Sequence, residues 1–175
     1  MKKSVRIITE TAVLIALLVA LQYLTSPYGQ IVTGSCVNMV LAVGALVVGP
    51  LGGAALAVLS PFLAYFVGVG PKLLPIVPAI ALGNLVYVLL LSVLAGNGGE
   101  ALWRKILAWI VASVCKFATL YLVVVRLLCS VLDLKEAQIA TFSTMFSWPQ
   151  LITALIGGAL ALVLSEVLRK VRRNP

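Results

Sequence analysis

The sequence contains no histidine. That one absence removes His-based metal sites, His general bases and Ser–His nucleophiles together. Acidic residues are scarce too, five Asp and Glu against thirteen Lys and Arg, for a formal net charge of +8. No acidic pair, Asp-rich phosphotransferase motif or Ser–Lys dyad stands out, so an enzyme reading has little support and no cofactor or metal is expected. The run "GPLGGAAL" is Gly-rich but lacks the lysine and Ser/Thr of a P-loop; its glycines read as a tight turn. Cysteine is limited to Cys36, Cys115 and Cys129, an odd number at wide spacings, which argues against a disulfide framework.

What is present is apolar. The chain of 175 residues is 62% hydrophobic and 10% charged, with a mean hydropathy of +1.17. A soluble domain of this size has no means of covering so much apolar side chain. The runs are continuous rather than alternating, which favours helices over a β-barrel. The fold class is therefore all-α: a polytopic membrane protein, residues 1–175 forming one domain of six transmembrane helices. The expected spans are about 5–25, 31–48, 52–69, 75–95, 102–128 and 147–168, each near the ~20 residues that cross a ~30 Å hydrocarbon layer. The first is too long, and too well followed by others, for a cleaved signal peptide. "TSPYG", "GPLGG", "GPKLLP" and "GNGG" punctuate the spans. Between spans 5 and 6, "DLKEAQIATFSTMFSW" has the mixed polarity of a short interfacial helix.

The basic residues sort by side. Lys2, Lys3, Arg6, Arg104, Lys105, Arg169, Lys170, Arg172 and Arg173 share one side of a six-span topology, whereas the other holds Lys72, Arg126 and Lys135. By the positive-inside rule both termini are cytoplasmic. Basic residues flanking apolar spans signal topology, so no nucleic-acid partner is expected.

Few polar residues lie inside the spans. Span 2 offers Thr33, Ser35 and Asn38; span 4, Asn84 and Tyr87. Span 5 places Trp109, Ser113, Lys116 and Thr119 on one face at three- to four-residue spacing. Span 6 opens with Phe146, Ser147, Trp148 and Gln150. Lys116 and Asn84 fall near mid-depth, and Trp148 and Gln150 near the outer end. Together they suggest an outward-opening cavity with aromatic walls and a few polar anchors, with Tyr28 of "TSPYG" folding over a bound ring. The plainer readings are an interfacial belt for Trp148, an interhelical hydrogen bond for Asn84 and a structural partner for Lys116. Lys116 costs roughly 2.5–3.5 kcal/mol at a helix centre and has no acidic residue at its depth, which hints at an anionic ligand. Glu10 and Glu166 lie near cytoplasmic span ends, where Arg6 and Lys170 are in i−4 and i+4 reach. No carboxylate sits at mid-depth, which disfavours ion-coupled transport.

Small residues form two strips, Ala12, Ala16 and Ala20 in span 1 and Ala154, Gly157, Gly158 and Ala161 in span 6. Such strips let helices approach closely in lipid, either within the bundle or, for span 1, against another membrane subunit.

The length, six spans, inside termini and the alanine strip, with "VNMVLAVGALVVGPLGGAALAVLSPF", "PAIALGN" and "QLITALIGGALA", resemble the substrate-binding (S) components of energy-coupling factor (ECF) transporters over nearly the whole chain. The resemblance implies a prokaryotic cell-membrane protein that binds one vitamin or related nutrient in an outward-facing pocket. It implies docking of Ala12, Ala16 and Ala20 on a transmembrane coupling subunit, with two cytoplasmic ATPase subunits supplying the energy. The candidate ligand contacts are Lys116, Asn84, Tyr87, Trp148, Gln150, Tyr28, Ser113 and Asn38. The alternatives are a non-transporting helical membrane subunit that serves as an assembly partner and, third, a small membrane enzyme.

Overall fold

The computed structural model describes residues 3–96 and 101–173. Lys2 and most of the "GNGG" turn lie outside the described residues, and nothing is said of the side chains of Lys3, Arg172 and Arg173. The described residues form helices and no strands. Helix α1 is Lys3–Thr25. Helix α2 runs over Gln30–Val48, its last turn, Gly44–Val48, widened to π geometry. Helix α3 is Pro50–Phe66 and α4 is Val77–Ala95, entered through a 3-10 turn at Leu74–Ile76. Helix α5 covers Leu102–Val131, with a π stretch at Tyr121–Leu128. The short α6, Glu136–Met145, is the helix expected between spans 5 and 6, and α7 is Trp148–Arg173.

Five of these segments are long and apolar enough to cross a membrane; α3 is the shorter apolar one, at 17 residues. Large apolar side chains such as Val13, Leu122, Leu160 and Val163 stand exposed around the bundle. In water that would be a liability; in lipid it is the expected outer surface.

Helix α2 packs most extensively along α7, and α4 lies between α3 and α5. The α2–α7 contact depends on small residues. A Cβ at Gly157 would stand 2.5 Å from the Ser35 carbonyl oxygen and 2.7 Å from Asn38 Cβ, and one at Gly158 would strike the Trp109 ring. Ala154 and Ala161 are fully buried. The strip in span 6 is therefore an internal packing face.

The first helix differs. It packs on α2 and α3 through one face, marked by the buried Thr11, Leu18 and Gln22. Ala12, Ala16 and Ala20 lie on the opposite, exposed face.

The "GPLGG" run divides its labour. Gly49, at φ 103°, makes the turn, and Pro50 starts α3. Gly53 is already helical and faces Val88, 2.5 Å from where its Cβ would be, so the run is only partly the turn that composition suggested.

One end of the bundle is held by cations on helix C-termini. Arg169 donates to the Leu46 carbonyl at 2.8 Å and Arg104 to that of Leu94 at 2.8 Å, satisfying acceptors that helix ends leave open. Arg6 pairs with Glu10 at 2.9 Å, as expected. Glu166 pairs with Lys105 of α5 at 2.5 Å and lies 3.6 Å from Arg169. The i+4 spacing had suggested Lys170, but a neighbouring helix brings a closer ammonium.

Candidate functional site

At the other end of the bundle, the C-terminal parts of α1 and α3 and the N-terminal parts of α2, α4 and α7 surround a cavity of about 270 Å³. Lys116 of α5 reaches its floor. Lys116 is 2% exposed, and its ammonium donates to Asn38 Oδ1 at 2.5 Å and to Asn84 Oδ1 at 2.7 Å. Three helices therefore meet at one charge. Asn38 in turn donates through Nδ2 to Thr153 Oγ1 on α7 at 3.2 Å, and Thr153 donates to the Gln150 carbonyl at 3.2 Å. The Lys116 nitrogen also sits 5.4 Å from the Tyr87 ring centroid, within cation–π range.

The charge is held by dipoles alone: the cavity lining contains no carboxylate. Among the described residues no cluster of His, Cys, Asp and Glu fits a metal ion.

The walls are mostly apolar, with Pro61, Ala64 and Ile80 among them. Their polar members are poorly satisfied. Gln22 Oε1, Thr33 Oγ1 and Ser60 Oγ belong to lining residues, are buried and have no hydrogen-bond partner among the described residues. Each such group costs about 1–3 kcal/mol. Gln30 and Gln150 converge on one acceptor, the Met145 carbonyl, at 2.5 Å and 3.1 Å.

Of the eight residues singled out from the sequence as ligand contacts, the cavity brings together Lys116, Asn84, Asn38 and Gln150. Tyr87 and Ser113 lie beneath the floor, both 0% exposed. The Tyr87 hydroxyl donates to the Ala154 carbonyl at 3.3 Å, as does Trp109 Nε1, while Ser113 donates to the Trp109 carbonyl at 2.8 Å. These two support the floor and do not line the cavity. Trp148 points outward, 67% exposed, stacked on Phe117 with centroids 5.7 Å apart. Tyr28, 73% exposed, is also outside the lining. The aromatic residues that do line it are Tyr65 and Phe146. On the loop side, Val69, Gly70 and Pro71 of the α3–α4 connection contribute, along with Ser26 and Gly29 from the α1–α2 turn.

Gln22, Gln30 and Ser60 were missed. A signal existed: each is a polar residue within about two turns of the span end that carries the cavity.

The family model for the ECF transporter substrate-specific component matches residues 6–169. No curated protein and no solved structure matches the chain. With a match running from the first turn of α1 to the last turns of α7, and a polar-floored cavity inside the bundle so delimited, the chain belongs to the substrate-specific components of ECF transporters.

Proposed function

We propose that the cavity is the binding site for a small water-soluble vitamin or related nutrient, taken up from outside a prokaryotic cell. The family makes the chain the substrate-specific subunit of an ECF importer, a transporter component rather than an enzyme. Basic residues cluster at the end opposite the cavity, so by the positive-inside rule the termini are cytoplasmic and the cavity opens outward.

The observation that carries the reading is the floor. A lysine in mid-span is expensive, and here two asparagines hold it at the floor of a cavity whose lining contains no carboxylate.

Delivery requires partners. The exposed face of Ala12, Ala16 and Ala20 is suited to close approach by a transmembrane coupling subunit, with two ATPase subunits supplying the energy. The test is uptake into vesicles that contain this chain, the coupling subunit and the ATPases. Accumulation of any small molecule found to copurify with the chain should require all components and internal ATP. Complex formation with no accumulation would favour a non-transporting assembly partner.

A further inference from the structure

We propose that the cavity selects a small net monoanion, with the ligand's carboxylate facing Lys116 and Asn84 and its neutral polar groups facing Gln30 and Gln150. This rests on the reading of the cavity as the nutrient site.

The floor supplies donors. An ammonium has three N–H bonds; Lys116 gives two to the asparagine oxygens, leaving one. Because Asn84 Oδ1 accepts from Lys116, its Nδ2 is presented as a donor, and it has no hydrogen bond of its own among the described residues. Asn38 Nδ2 gives one of its two N–H groups to Thr153 on the far side. One ammonium proton and one amide N–H match the two oxygens of a carboxylate, in charge-assisted bonds stronger than neutral ones.

At the other end of the cavity, its rim, Gln30 and Gln150 each donate one Nε2 N–H to the Met145 carbonyl and each keeps a second N–H and its Oε1, so this end offers both donors and acceptors. Gln30 and Asn38 are eight residues apart on α2, on the order of 12 Å at ~1.5 Å per residue. A ligand bridging floor and rim is thus short, in keeping with a cavity of about 270 Å³, at the lower edge of small-molecule sites. A neutral ligand would leave the floor charge unanswered. A cationic one would meet it directly and find no carboxylate elsewhere in the lining.

Calorimetry on the full chain in lipid nanodiscs tests this with three probes. N-glycoloyl-β-alanine carries a carboxylate, an amide N–H and a hydroxyl. Its primary amide keeps the donors and loses the charge. Riboflavin is a neutral fused ring. The acid should bind with a Kd below ~1 mM and at least about tenfold more tightly than its amide, and riboflavin should not compete. No binding of the acid, or equal binding of the amide or riboflavin, would overturn the proposal. Ala64→Phe, which fills the cavity, separates the two layers. If it sheds a copurifying molecule that proves neutral or cationic, the ligand class alone is wrong. If it retains that molecule, the cavity is not the site.

Discussion

Replacing Lys116 by Met removes one charge and keeps the apolar stem, and the consequences for stability and binding separate cleanly. In the ligand-free protein the loss strands Asn38 Oδ1 and Asn84 Oδ1, which now accept from the ammonium at 2.5 Å and 2.7 Å. Each stranded acceptor costs about 1–3 kcal/mol. Against this, an intramembrane charge that costs roughly 2.5–3.5 kcal/mol disappears. The two effects are of similar size and opposite sign, so the melting temperature should move little. Binding has no such offset. The remaining ammonium proton is the strongest donor the floor can give a ligand, and a hydrogen bond to a charged group contributes about 1.5–3 kcal/mol, a roughly ten- to hundredfold change in Kd. The assay is calorimetry on parent and Lys116→Met with the copurified ligand and with an analogue lacking its anionic or acceptor group. The loss should be large for the first and small for the second, a double-mutant cycle in which one partner is the ligand. If Lys116→Met binds the natural ligand as tightly as the parent, the lysine is structural and the site is misplaced.

Other consequences follow from particular contacts. Ala16→Trp fills the bare face of α1, so coupling-subunit capture and uptake should fail in detergent pull-down and vesicle assays while ligand affinity of the isolated chain stays within about twofold, the face being remote from the packed one. Gly158→Ala places a methyl against the Trp109 ring and 2.7 Å from the Tyr87 hydroxyl; overpacking of this kind costs about 1–3 kcal/mol, read as a lower thermal midpoint. Ligand should slow hydrogen exchange in residues 26–30 and 69–71, where Ser26, Gly29, Gly70 and Pro71 line the cavity; equal exchange with and without ligand would count against closure by these loops.

Span number and position were legible because a lipid core imposes length and hydropathy on every crossing segment. Depth was legible for the same reason: Lys116 and Asn84 were expected near mid-depth, and they meet there, joined by Asn38. Azimuth was not. Trp148 lies at the expected end of α7, yet it faces outward onto Phe117, because nothing in a uniformly apolar helix distinguishes the lipid side from the inner side. Here helical periodicity carries little information, since lipid and core are equally apolar. Tyr28 stands outside the lining for a related reason: a turn residue's reach depends on how its flanking helices splay. The Glu166 partner was missed because spacing along one helix cannot anticipate Lys105 arriving from α5. The glycines of α7 were read correctly as a close-approach surface, but only the fold assigned that approach to Asn38 and Trp109.

Native mass spectrometry of the purified chain, released from detergent in the gas phase, asks whether this protein is a ligand-binding subunit and whether the ligand occupies the cavity. The expected result is one small molecule per chain in the parent, absent from Ala64→Phe, whose side chain would occupy the cavity wall between α3 and the floor. A parent chain that carries no small molecule, even after exposure to cell extract, or a blocked variant loaded as fully as the parent, would contradict it.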